Sequence, residues 1–269
     1  MPELLMTPVQ WFGYAMRRRV RILMYHSISD DPIDPLAISP AHFRAQMSLL
    51  AQQGYSGVSL GEVTQLLTSG TKDHRVVGLT FDDGFQDFLT AAIPVLQEHG
   101  FRATLFVPAG MVGQTSSWSS YRKDRSLLTW EELQEVVDSG YEIGSHTLSH
   151  PDLCQLSPVS LHHEVNDSKR LLEDTLQVPV HHFAYPGGTF TQREVDAVGR
   201  AFYRSAAIVG GRWGNGPDTP RLRLKREPMR RSDTLSEFWR KVYGYYELFW
   251  LSRWILCRVS SRRPTSNDA

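Results

Sequence analysis

The sequence predicts an α/β protein folded as a distorted (β/α) barrel of about seven parallel strands. Short apolar runs alternate with segments of helical period, which is how repeated β/α units read in one dimension. The length, 269 residues, suits one such barrel better than two small domains. The residues able to do chemistry recur just after the apolar runs, the place where barrels of this kind build their sites.

Strands are expected at residues 21–26, 76–81, 103–108, 141–145, 182–185, 205–209 and 223–228. The helices between them carry their own start and stop signals. Ser39-Pro40 and Ser157-Pro158 each set a capping hydroxyl ahead of a proline at the first helical position. Ser59 with Glu62, Thr129 with Glu132, Thr191 with Glu194 and Thr234 with Glu237 have capping-box spacing. Gly54, Gly100 and Gly140 stand where a left-handed residue closes a helix. With no internal repeat and no low-complexity linker, residues 20–240 read as one domain. An aromatic-basic helix is expected over 241–259, and a disordered polar tail over 260–269.

Composition narrows the function classes. Twenty-nine basic residues balance twenty-nine acidic ones, which argues against a nucleic-acid binder working by phosphate neutralisation. The two cysteines, Cys154 and Cys257, are too few and too far apart for a disulfide framework or a zinc knuckle. In residues 1–19 the charges Arg17, Arg18 and Arg19 follow the apolar residues, the reverse of a secretory signal. No stretch reaches the ~20 apolar residues of a membrane span. A cytoplasmic protein is expected, with peripheral contact to the inner face of the membrane if the stretch 238–259, rich in aromatics and arginine, lies in the interface. The plainer reading of that stretch is a helix covering the barrel.

Two segments carry the chemistry. In VVGLTFDDGF (76–85) an apolar strand ends on two adjacent carboxylates, Asp82 and Asp83. Neighbouring acids repel unless a cation or shared proton relieves them, so one could bind a metal while the other acts as a base. In GYEIGSHTLSHPDL, His146 and His150 follow a strand, four residues apart. One helical turn there would put both imidazoles on one side. Two imidazoles and a carboxylate make a half-open shell for a catalytic divalent cation.

Together with RILMYHSIS (21–29) and FAYPGG (183–188), the segments TFDDG (80–84) and SHTLSH (145–150) resemble, in order and content, the polysaccharide deacetylase family. That family shares the NodB homology domain (carbohydrate esterase family 4), and the resemblance covers residues 20–240. The first and last of these segments are similar to the branch acting on poly-N-acetylglucosamine exopolysaccharides. The resemblance implies a metal, zinc first and cobalt, nickel or manganese as substitutes, held by Asp83, His146 and His150. It implies Asp82 as general base and the backbone N–H of Tyr185 as an oxyanion donor, with Pro186 and Gly188 in the same substrate-binding turn. The general acid common in the family, a histidine late in the domain, has no counterpart after His182. The branch supplies it from the N-terminal motif, which makes His26 the candidate acid, against the plainer reading of a core histidine.

A second departure is Ala184, where many members have an arginine paired with the catalytic aspartate. Arg226 is the leading replacement, with Arg223 and Arg221 as rivals. Trp118, Trp130 and Trp213 could stack on sugar rings, with Trp213 in GGRWGNG the best placed and Trp130 a packing residue at a helix start. Tyr121 could line the cleft. The adjacent pairs His162-His163 and His181-His182 are not expected to bind metal.

The expected activity is removal of N-acetyl groups from a hexosamine in a glycan or a lipid-linked sugar, within exopolysaccharide or cell-envelope glycan synthesis. The rival readings are an O-acetyl esterase or non-sugar amidase with the same metal site, and an inactive glycan-binding scaffold.

Overall fold

The structure is a computed structural model that describes residues 19–69, 75–118, 124–210 and 214–243. Eight parallel strands occur in chain order: β1 (Arg21–Tyr25), β2 (Ser56–Val58), β3 (Val76–Phe81), β4 (Thr104–Val107), β5 (Glu142–Ser145), β6 (His182–Ala184), β7 (Ser205–Val209) and β8 (Leu224–Pro228). Seven close into a barrel in the order β1-β8-β7-β6-β5-β4-β3, with β3 pairing back to β1 from Arg21↔Val77 to Tyr25↔Phe81. The eighth, β2, pairs with the first half of β3 (Ser56↔Val76 to Val58↔Gly78), whereas β4 pairs with its second half (Thr80↔Thr104, Phe81↔Leu105). The Arg102 amide donates to the Gly57 carbonyl at 2.9 Å. β2 is therefore a wedge between β3 and β4 at the end of the barrel away from the strand C-termini. Gly57 is required there, because a Cβ would meet Leu79 Cδ1 at 2.6 Å and the Phe101 ring at 2.8 Å.

The helices are α1 (Pro40–Gln52), α2 (Leu60–Ser69), α3 (Ile93–Glu98), α4 (Trp130–Asp138), α5 (Pro158–Leu176), α6 (Gln192–Arg200) and α7 (Leu235–Tyr243). Their ends follow the sequence signals. The Ser39 and Ser157 hydroxyls accept from the His42 and Ser160 amides, and reciprocal capping boxes form at Thr129–Glu132 and Thr191–Glu194. Helix α3 continues a π-helical turn over Phe88–Ala92, where Pro94 has no N–H to give to a regular α-helical ladder.

Side-chain alternation sorts the core into two clusters. Leu23, Tyr25, Val77, Leu79 and Phe81 point out into the layer between strands and helices. Ile22, Phe106, Ala184, Ala207 and Leu224 point in and pack on Leu60, Val63 and Leu67 of α2, which plugs the barrel at the strand N-termini. A polar floor lies at the same end, where the Glu142 carboxylate accepts from the Gly61 amide at 3.1 Å and from the Thr104 hydroxyl. Helix α7 covers the barrel with Phe238 and Val242 buried, and Trp239 meets Tyr55 edge-on. The expected helix over 238–259 therefore begins as a covering helix. Its later part, residues 1–18, Cys257 and the tail lie outside the described residues, and no helix among those described is long and apolar enough to cross a membrane.

Candidate active site

The opposite rim, at the strand C-termini, gathers the motif residues. β3 runs straight into Asp82, whose amide extends the ladder by donating to Tyr25 O at 3.0 Å. The chain then turns through left-handed conformations at Asp83 (φ 76°) and Gly84 (φ 68°). A non-glycine residue holds such a conformation only where its surroundings fix it, and active sites are common places for it. The turn separates the two carboxylates, so that Asp82 faces β8 while Asp83 faces the loop after β5.

Asp82 meets Arg226 in a two-toothed ion pair, Nη1 to Oδ1 at 2.6 Å and Nη2 to Oδ2 at 2.8 Å. Both side chains are buried, and Arg226 also donates to Thr80 Oγ1 at 3.2 Å and lies over the Phe106 ring. Burial alone would raise the Asp82 carboxyl. The adjacent guanidinium, with the His146 and His26 imidazoles, outweighs it and holds the group below the usual carboxylate range. Arg226, on β8, thus meets Asp82, whereas Ala184 on β6 carries no such side chain. Arg223 reaches Gln192, and Arg221 donates to Thr68 Oγ1 at 3.1 Å.

Asp83 Oδ1 lies 3.6 Å from His146 Nε2 and 3.3 Å from His150 Nε2. One ligand atom from each of these residues falls within 4.8 Å of the others, the one such group of three among the described residues. The donor set suits a divalent metal. His146 Nδ1 meets the Ala184 carbonyl at 2.8 Å, and since a carbonyl only accepts, Nδ1 carries the hydrogen and Nε2 turns its lone pair to Asp83. Burial pushes the His146 imidazole down to about 4, so it is neutral and able to ligate at physiological pH. Asp83 is held well below the usual carboxylate range, burial being outweighed by the His150 hydrogen bond and the neighbouring imidazoles.

The histidine pair does not sit on a helical turn, as the spacing had suggested. The loop is irregular, with Thr147 at φ 70° and His150 at φ 59°, because two left-handed residues bring both rings to Asp83 without a helix. Its backbone is tied down on several sides. Thr147 Oγ1 accepts from the His150 amide at 3.0 Å, and the Ala109 and Gly110 amides donate to the Thr147 and Leu148 carbonyls, each at 2.9 Å.

His26 follows β1, is buried, and is near enough to act on the charge of both Asp82 and Asp83. Tyr185 follows β6. Its ring is buried against Phe190 and its hydroxyl donates to Leu222 O at 3.1 Å. Its amide donates to Ala207 O over a long 3.3 Å, so an oxyanion would have to displace that bond. Pro186 and Gly188 form a tight turn, and Gly188 is needed because a Cβ would lie 2.7 Å from Val209 Cγ2. Trp118 does not stand free as a sugar platform: it stacks on His150 with centroids 4.6 Å apart and planes 15° from parallel. Trp130 packs against the core, as its place at the head of α4 suggests. Trp213 and Tyr121 lie outside the described residues.

His181-His182 falls at the other end of the barrel, where His182 Nδ1 meets Ser205 Oγ at 2.8 Å. Sequence reasoning missed a further group beside the site. Asp87 is buried and bonded to the Ser27 hydroxyl, and burial pushes its carboxyl up. Next to it Arg125 bridges Asp31 at 2.6 Å and Asp34 at 3.4 Å. These residues tie the loop after β1 to the turn after Asp82. Apart from Ser27 they belong to no motif, so only their proximity reveals them.

Fold and site together define a closed (β/α) barrel with an Asp-His-His group able to hold a cation beside an arginine-held carboxylate. The chain belongs to the polysaccharide deacetylase family, whose profile matches residues 69–206. It is 31% identical to YxkH of Bacillus subtilis (strain 168) over 195 residues, 72% of this chain and 66% of that one. It is 28% identical over 135 residues to the poly-beta-1,6-N-acetyl-D-glucosamine N-deacetylase of Escherichia coli (strain K12), 46% of this chain but 20% of that one. The chain thus spans less than two thirds of either relative. Among solved structures, the Streptococcus pyogenes deacetylase PplD in complex with acetate superposes with a TM-score of 0.73 at 27% identity, covering 83% of this chain and 98% of that one.

Proposed function

We propose that this chain hydrolyses N-acetyl groups on hexosamine units of a glycan or a lipid-linked sugar, in the assembly of exopolysaccharide or cell-envelope glycan. The observation that carries the reading is the pairing of two groups on one rim: a buried, arginine-held Asp82, and Asp83, His146 and His150 with their ligand atoms converging. A binding module has no need of both. Several relatives support the substrate class, being named as deacetylases of poly-N-acetylglucosamine, chitooligosaccharide and chitin.

Asp83, His146 and His150 would hold a divalent cation, zinc by preference with cobalt, nickel or manganese as substitutes; when bound it lowers the pKa of water and polarises the acetamide carbonyl. The chain's own residues divide the proton work. Asp82, kept ionised by Arg226, takes a proton from the attacking water. Arg226 occupies one lone pair on each of its oxygens and leaves the others free to do so. The Tyr185 amide turns from Ala207 to the developing oxyanion, helped by the Pro186–Gly188 turn. His26 hands a proton to the amine nitrogen as the carbon–nitrogen bond breaks, giving acetate and a free amine. Buried walls keep bulk water from competing for these charges.

The test is acetate release from N-acetylglucosamine oligomers by the metal-loaded protein. Asp82→Asn should lower turnover by about 10²–10⁴-fold, the worth of a general base, while zinc affinity by calorimetry stays near wild type. Release from O-acetylated sugars alone would replace this reading by an esterase. Failure to turn over any acetylated sugar, with metal still bound, would favour a binding role.

A further inference from the structure

Beyond His146, whose amide donates to Val107 O at 2.9 Å, the loop that carries both histidines has no regular secondary structure, and two of its residues are left-handed. Its hydrogen-bonding groups must therefore be met from outside. The Thr147 and Leu148 carbonyls are met by Ala109 and Gly110, and the His150 amide by Thr147 within the loop. The Thr147 amide donates to Ser145 Oγ at 3.3 Å, and the amides of Leu148 and Ser149 point to one acceptor on a different element. Glu164 Oε2 takes both, at 2.8 Å and 3.0 Å, and Oε1 takes the Ser149 hydroxyl at 2.6 Å. Successive amides converging on one anion form a nest, and a charged acceptor strengthens each bond.

Glu164 lies on α5, whose buried face of Leu161, Val165, Ser168, Leu172 and Leu176 fixes it to the barrel. The Ser145 hydroxyl, at the end of β5, meets Ser168 one turn further along α5 at 2.8 Å. The helix thus holds the loop at two points, once where it leaves the strand and once between the two histidines. We propose that Glu164 is the positioning residue of the candidate metal centre. By pinning the backbone of Leu148 and Ser149 it sets the separation and tilt of His146 and His150 around Asp83, and touches neither metal nor substrate itself. The inference rests on the reading of those three residues as metal ligands.

The experiment titrates the metal-stripped full chain with zinc by calorimetry for wild type, Glu164→Ala and Glu164→Gln, with His146→Ala as control. Unfolding of each metal-free protein is followed in parallel. Outer-shell partners of ligands are worth 10–100-fold in affinity. Glu164→Ala should accordingly bind zinc about 10–100-fold more weakly, and Glu164→Gln, which keeps one oxygen for the two amides, should fall between it and wild type. The cobalt-loaded alanine variant should also show an altered visible absorption spectrum.

A merely structural glutamate would lower the metal-free unfolding temperature and leave the zinc affinity of the folded protein within about twofold of wild type, which overturns the proposal. If the alanine variant does not fold, the glutamine variant decides by the same criterion. Wild type that fails to bind zinc, or binds it equally after His146→Ala, sinks the metal reading and this inference with it. Zinc binding that depends on His146 but is unchanged in the Glu164 variants sinks the inference alone.

Discussion

Asp82 and Arg226 show how one buried contact sets a chemical property. Were the guanidinium absent, the largest influence opposing burial would be gone and the carboxyl would titrate higher. A base works only when deprotonated. Arg226→Met should therefore shift the acid limb of kcat/KM to higher pH, and removing one partner of a buried pair should destabilise the fold by about 3–5 kcal/mol. Arg226→Lys keeps the charge without the two-toothed geometry and should lie between. A pH–rate profile together with urea unfolding checks both, and an unmoved acid limb would remove Asp82 from the role of base. The need for such an arginine was legible from Ala184, and Arg226 was the leading of three candidates, but no local pattern chose among them. β8 side chains alternate, with Leu224 and Arg226 facing in, so a slip of one residue would have offered Lys225 instead. That register is set by pairing with β7 and β1, which no local pattern records.

Helix α6 carries a separate test at the scale of an element. Glu194 closes its capping box. Burial works to raise this carboxyl, but bonds from the Thr191 hydroxyl and amide and from Arg193 pull it down to about 2. An unfolded glutamate titrates near ~4.3. The ionised form therefore stabilises the fold above that pH, and the contribution is lost as pH falls from about 4 toward 2. Glu194→Gln should cost about 0.5–2 kcal/mol at neutral pH. Its stability should also fall less steeply than wild type between pH 5 and 2.5, by unfolding titrations across that range. Parallel profiles would refute it. Elements of this kind were readable because caps are local. All seven predicted strands are present. The missed strand, β2, is Ser-Gly-Val and offers one apolar side chain and no alternation to detect. The π-helical turn before α3 was missed for a related reason: only Pro94 marks it, and a proline there also fits an ordinary first turn.

For the whole molecule, a cation that binds the folded chain and not the unfolded one must stabilise it by linkage. At a hundred times its Kd the gain is ~2.7 kcal/mol, which for a domain of this size raises Tm by roughly 5–10 °C. A chelator should remove the increment in wild type, and in Asp83→Ala there should be none to remove; a thermal scan in zinc and in chelator checks it. An increment that survives Asp83→Ala would place the stabilising ion elsewhere. The Asp82–Arg226 contact also has a consequence in time. Its partners are 144 positions apart, and a ribosome adding about 5–20 residues per second needs some 7–30 s to go from one to the other. Throughout that interval the nascent chain holds an aspartate with no arginine to meet it, in a barrel whose last strand does not yet exist. Completion of the cylinder and pairing of Asp82 are thus one event, and in a chain cut short before β8 that aspartate has no arginine to meet, whatever part of it has folded.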